Sequence, residues 1–186
     1  MIQTNNRINN NLINILKNLI NKKLDYISHQ PFTFTNTSYG AVYLSINKNL
    51  YILTDYYHDV KKIGCDEEMS YIDFKSVSKI ISTIHNVEFI KETLNLTINK
   101  IELVNTRQTA LDTTTNNSYE FLDTYGIIFT FDDNYQLAFE KDDLGENISI
   151  YRGYNLKDKF SYLEKYLTEE YDDDLIMSAS IEFEEL

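Results

Sequence analysis

The side chains of this 186-residue chain suited to acid–base, nucleophilic or metal chemistry are three histidines, one cysteine and twenty-nine carboxylates. Metal binding needs ligands that converge. His29, His58 and His85 fall far apart, and neither a His-x-x-x-His nor a Cys-x-x-Cys spacing occurs. The nearest local cluster is Asp55, His58 and Asp59, within five positions. It reads as a polar loop, and no metal site is assigned. Asp132, Asp133 and Glu140 resemble the acidic half of a metal nuclease centre, since a hairpin turn between them would draw them together. Lys141 would then point to the opposite side of the strand, leaving no basic group beside them. Glu140 to Glu146 has acids and Gly145 but lacks the register of a calcium loop.

Nucleophilic chemistry has no handle. Cys65 is followed by Asp66, Glu67 and Glu68, an environment unsuited to a thiolate. Ser38 and Ser118 lack a nucleophile-elbow context. None of the five glycines forms a phosphate loop or dinucleotide fingerprint. No catalytic residue and no cofactor is therefore assigned, and a non-catalytic role is favoured over an enzyme.

Charge and tyrosine are the remaining signals. The formal net charge is -12. It is unevenly spread: residues 1–62 hold seven Lys and Arg against three acids, whereas residues 63–186 hold ten against twenty-six. Such a field repels phosphates and disfavours direct nucleic-acid binding. It would attract a basic protein surface and hasten encounter with it. Fifteen tyrosines add side chains that bury area while keeping a polar tip. The two signals coincide near the C-terminus, where Tyr162, Tyr166, Glu169, Glu170, Asp172, Asp173 and Asp174 are the candidate partner-binding residues.

The positioning elements follow from periodicity. Apolar residues from Ile8 to Ile27 recur at helical spacing, predicting an N-terminal helix that ends by Gln30 before Pro31. Val42–Ile46 and Leu50–Thr54 read as a hairpin about Asn47-Lys48-Asn49. Asp55–Asp59 and Gly64–Glu68 read as loops. Asp73 can cap a middle helix whose apolar face is Phe74, Val77, Ile80, Ile81 and Ile84. Leu94 to Leu103 reads as strand, and the polar run Arg107–Ser118 as an internal loop. Gly126–Phe131, Gln136–Glu140 and Ile148–Tyr151 form a meander, with turns at Asp132–Asn134 and Asp142–Asn147. Asn155 can cap a C-terminal helix carrying Phe160, Leu163, Tyr166 and Leu167, and Ile176–Phe183 can add an edge strand.

The expected fold is α+β: an antiparallel sheet or sheets with an N-terminal helix, a middle helix and a C-terminal helix. Residues 1–106 would form a helix-hairpin-helix-strand region, and residues 119–186 an acidic meander plus helix, as two units or one compact domain. No apolar run approaches the roughly 18 residues of a membrane span. The start is a poor secretory signal, and one cysteine excludes an intrachain disulfide. The expectation is a cytoplasmic, acidic protein-binding module, an inhibitor or immunity-type partner of a basic protein, without membrane contact. The rival is a small metal-dependent hydrolase or nuclease.

Overall fold

A computed structural model of the chain describes residues 1–31, 34, 36–142, 147–169 and 174–186. In chain order the elements are β1 (Ile2–Asn6), α1 (Asn10–Lys17), β2 (Lys23–Pro31), β3 (Thr37–Ile46), β4 (Asn49–Lys62), β5 (Cys65–Ser76) and β6 (Ile90–Asp112). They continue with β7 (Ser118–Phe131), β8 (Gln136–Lys141), β9 (Asn147–Gly153), a 3-10 helix (Leu156–Phe160), α2 (Leu163–Glu169) and β10 (Leu175–Glu185). Strand makes up 63% of the structure and helix 11%, so the fold is mostly β. This corrects the expected α+β class with its three helices.

Each misread helix has an identifiable cause. In the N-terminal segment Asn9 caps α1 by accepting from the Leu12 amide at 3.0 Å, and Leu12 and Leu16 face the core. The helix then stops far short of Ile27. Asn21 adopts a left-handed conformation, φ 65°, and the chain leaves as β2, bonded to β3 on one edge and β6 on the other. Leu24 and Ile27 suit either period, and tertiary pairing decides between them.

The middle helix is absent. Phe74 ends up inside β5, and residues 77–89 form no regular element. Several of their backbone groups are bonded by side chains from elsewhere. The buried Gln30 amide donates to the Ile84 and Val87 carbonyls at 3.0 and 2.6 Å, and its oxygen accepts from the Thr83 and Ile84 amides at 2.7 and 3.1 Å. The Tyr43 hydroxyl donates to the Ile81 carbonyl at 2.9 Å and accepts from the Ile81 amide at 3.0 Å. The C-terminal helix is split into the 3-10 turn and α2. Asn155 lies at φ 55° and makes no side-chain cap.

One sheet holds the strands together. Pairing runs β6–β7–β8–β9–β3–β2 and returns to β6, closing a ring. β10 adds to β6, β1 adds to β7, and the β4–β5 hairpin adds to β3. Among the described pairings only β1–β7 is parallel. Two strands change partner along one edge. β3 pairs with β9 over Thr37–Tyr39 and with β4 over Ala41–Ile46. Gly40, at φ 68°, makes the switch in a conformation glycine takes without strain. β6, 23 residues long, pairs with β2 in its first half and β10 in its second, with β7 along its other edge.

The expected loops at 55–59 and 64–68 are therefore strand, apart from a turn at Ile63 and Gly64. Arg107–Asp112 continues β6, and the turn is confined to residues 113–117. Hydrogen bonds from the Thr114 and Thr115 hydroxyls, and from their amides, hold the Asp112 carboxyl well below its ordinary range. The Val42–Thr54 hairpin forms with Asn47 and Lys48 both at positive φ, 48° and 66°, as a primed two-residue turn requires. The meander forms as β7, β8 and β9; most of the expected Asp142–Asn147 turn lies outside the described residues. Strands from residues 1–106 pair with strands from 119–186 at β1–β7, β6–β7 and β3–β9.

Alternation along the strands creates two cores. Leu137 and Phe139 of β8 face an inner core with Phe129 and Phe131 of β7, sealed by Leu12, Leu16 and Leu19 of the α1 segment. Ala138 and Ile128 face outward, where Leu156, Phe160, Leu163 and Leu167 cover them. Among the described residues no helix is long and apolar enough to cross a membrane.

Candidate functional site

The outer core opens at one end into a cleft. Its geometry begins with β7. Val104 pairs with Gly126 and Asn105 with Thr124, so Tyr125 is the extra residue of a β-bulge. Gly126 then lets the covering helices approach: a Cβ there would stand 2.6 Å from the Phe139 carbonyl and 2.9 Å from the Phe160 ring. Phe160 packs edge-on against Tyr151, ring centroids 6.1 Å apart. The following α2 segment brings Tyr162 and Tyr166 over the sheet.

Tyr125, Tyr151, Tyr162 and Tyr166 thus wall a cleft of about 330 Å³. Glu140, Lys141, Asp142 and Ser149 also line it. Glu140 is only 3% exposed. One carboxylate oxygen accepts from the Tyr151 hydroxyl at 2.6 Å and the other from the Tyr162 hydroxyl at 2.7 Å. Burial, and then the Glu140 carboxylate to which it donates, push the Tyr151 phenol well above its usual range. Tyr151 is therefore a protonated donor at neutral pH. Tyr162 remains half exposed, and its ring lies 6.1 Å from that of Tyr166.

Lys141, part of the same lining, is itself engaged in a buried cluster. Its ammonium donates to the Asp123 carboxylate and to the Ser70 carbonyl, both at 2.7 Å, and lies 5.0 Å from the Tyr125 ring centre. The Asn6 amide joins the same groups, donating to Asp123 at 3.0 Å and to the Ser70 carbonyl at 3.1 Å. His58 Nε2 stands 2.6 Å from Asn6 Oδ1. This buried polar cluster ties β1, β4 and β5 to β7 and β8.

Of the residues expected to bind a partner, Tyr162 and Tyr166 come together at the cleft. Glu169 is exposed at the end of α2, paired with Lys165 at 3.0 Å. Asp174 is exposed, and its carbonyl accepts from the Thr113 amide and hydroxyl at 2.9 Å each. Glu170, Asp172 and Asp173 lie outside the described residues. Further acids of the C-terminal half have partners: Glu182 pairs with Arg7 at 3.2 Å, Glu184 accepts from Asn105 at 2.8 Å, and Glu185 lies 3.8 Å from Lys100.

The carboxylates read as a nuclease-like set do not converge. Asp132 and Asp133 are exposed at the β7–β8 turn. Glu140 lies four residues beyond Gln136 along β8, about 13 Å at the rise of an extended strand, beneath its two tyrosines. His58 and Asp55 project from opposite faces of β4. Asp55 instead accepts from the Asp142 amide at 3.3 Å. Among the described residues, no three His, Cys, Asp or Glu side chains gather into a metal-binding group. Cys65 is an exposed free thiol at the start of β5.

Sequence reasoning missed the union of Glu140 with Tyr151. The signal was present in the meander register. Glu140 pairs with Ser149 and Ala138 with Tyr151, so Tyr151 is the diagonal neighbour of Glu140 on one face. No protein-family model, no curated protein and no solved structure matches the chain.

Proposed function

We propose that the chain is a non-catalytic, cytoplasmic binding protein, an inhibitor or immunity-type partner of a basic protein. The contact surface is the α2 side of the sheet. One observation carries the reading: Tyr162 and Tyr166 sit together at the mouth of a cleft whose buried carboxylate is Glu140. A half-exposed tyrosine beside a pocket is the kind of anchor on which interface energy concentrates once a partner covers it. A net charge of -12 favours encounter with a basic surface and opposes one with nucleic acid.

Affinity capture from cell extract compares the wild-type chain with a Tyr162→Ala variant and with a Glu169→Lys, Asp174→Lys double variant. The expected result is a basic protein, identified by mass spectrometry, that the wild type retains and both variants lose. Retention of no partner, or of a partner indifferent to these changes, refutes the reading.

A further inference from the structure

We infer that the outer edge of β10 pairs antiparallel with β10 of a second copy of this chain, about a two-fold axis at Ser180, so that two sheets join into one.

Parity along β10 shows which backbone groups are on offer. The Leu186 amide donates to the Ile101 carbonyl, and the Asp174 carbonyl accepts from the Thr113 amide. Even-numbered residues therefore turn their backbone groups toward β6, and odd-numbered ones turn theirs outward. The Ile181 amide follows this rule, donating to Glu164 of α2 at 3.3 Å. Among the described residues β10 pairs with β6 alone. Its outer edge runs for eleven residues, and such an edge is a template for another strand. The two other strands with a single neighbour offer less. β1 is five residues long, and the Ser70 carbonyl in the middle of β5 is taken by Lys141 and Asn6.

The charge pattern chooses both the occupant and the register. Leu175 to Ile181 carries no charge, whereas Glu182, Glu184 and Glu185 crowd the far end. A basic strand would meet the uncharged run along most of its length, and Glu182 and Glu185 already pair with Arg7 and Lys100. A parallel copy would set acid on acid. An antiparallel copy with its axis at Ser180 sets Glu185 against Leu175, Glu184 against Ile176 and Glu182 against Ser178, and the whole strand pairs. Moving the axis one residue toward the N-terminus brings Glu184 against Asp174. Moving it two residues the other way brings Glu182 against itself. Like charges directly opposite are destabilising. The net charge of -12 opposes self-association at a distance, but salt screens it. The cross-dimer side chains Ile176, Ser178, Ser180, Glu182 and Glu184 are exposed, whereas Ala179, Ile181 and Phe183 pack on the α2 side.

Sedimentation velocity of the whole chain, up to about 1 mM so that a weak dimer is populated, tests this. A monomer–dimer equilibrium that tightens as salt rises is expected. With rising concentration the Met177, Ala179 and Phe183 amides should gain protection from hydrogen exchange, while Ser178 and Ser180 stay protected throughout. Ala179→Pro removes only an outward amide, a position where an edge strand accepts proline. It should weaken association about tenfold, since each dimer loses two hydrogen bonds. Glu164→Ala, which uncovers the Ile181 amide, should tighten it. Ser180→Lys and Ser180→Glu change an exposed side chain that faces its own copy, so each should weaken association. An equimolar mixture of these two variants should associate more tightly than either alone. A chain that stays monomeric at about 1 mM in about 0.5 M salt refutes the pairing. So does association that weakens as salt rises, a mixture no tighter than its components, or a folded Ala179→Pro variant that associates undiminished.

Discussion

The Lys141 ammonium and the Asp123 carboxylate lie 2.7 Å apart, and neither side chain reaches solvent. Each also has further partners, the Ser70 carbonyl for Lys141 and the Asn6 amide for Asp123. Removing one member of such a pair strands a buried charge. Lys141→Met should therefore lower unfolding stability by about 3–5 kcal/mol. The double variant Lys141→Met, Asp123→Leu should be less destabilised than Lys141→Met alone. Urea unfolding of the two single variants and the double variant gives the coupling. Strict additivity would show that the pair does not act as one unit.

His29 is fully buried between β3 and β6, and neither ring nitrogen has a hydrogen-bond partner among the described residues. Burial, with the nearby Arg152 charge, lowers its pKa from 6.5 to about 4. The folded state therefore holds fewer protons than the unfolded state between these values, and stability rises with pH there. Its contribution is complete above pH 6.5 and is lost as pH falls toward about 4. The full effect is roughly 3 kcal/mol. His29→Leu should flatten this part of the wild-type stability profile, measured by denaturant unfolding at a series of pH values. An identical slope in the variant would count against it.

Gln30 holds the irregular segment 77–89 through backbone bonds to Thr83, Ile84 and Val87. Gln30→Leu keeps the bulk and removes all of them. A loss of about 2–3 kcal/mol is expected, since buried backbone groups are left unpaired. Hydrogen exchange at the Thr83 and Ile84 amides should accelerate well beyond the change at β7. Unchanged protection at those two amides would remove Gln30 as the anchor.

Gly126→Ala places a methyl group against the Phe139 carbonyl and the Phe160 ring. The carbonyl belongs to a paired strand and cannot move aside cheaply. Overpacking of this kind costs about 1–3 kcal/mol. The 3-10 helix should shift outward, taking Tyr162 with it. The expected spectroscopic sign is a changed Tyr162 ring resonance with the inner-core signals preserved. A variant as stable as wild type would mean that the covering helices adapt without strain.

Legibility in the sequence followed the range of the interactions. The Val42–Thr54 hairpin and the meander are written in local turn chemistry, such as Asn47 and Lys48 at positive φ. The helix expected at 74–84 is excluded by Gln30 and Tyr43, side chains some forty to fifty positions earlier. No window around Phe74 contains that information. Leu24 and Ile27 likewise take strand conformation because β3 and β6 flank them. At the candidate site, Tyr162 and Tyr166 stood out by type and helical spacing. Glu140 was noticed for its charge but grouped with Asp132 and Asp133. Its true neighbours follow from strand register, which separates it from the turn acids and sets it beside Tyr151.

The parallel pairing of β1 with β7 has a consequence for the order of folding. Asn6 and Asp123, bonded side chain to side chain, are separated by 117 positions. β1 must wait for β7, and the Asp123 cluster is complete only once Lys141 has also been synthesised. Loop closure over such distances is entropically costly and slows the search. The pairing of β1 with β7 therefore cannot form before β7 has been made, and with it the Asn6–Asp123 contact of the buried cluster.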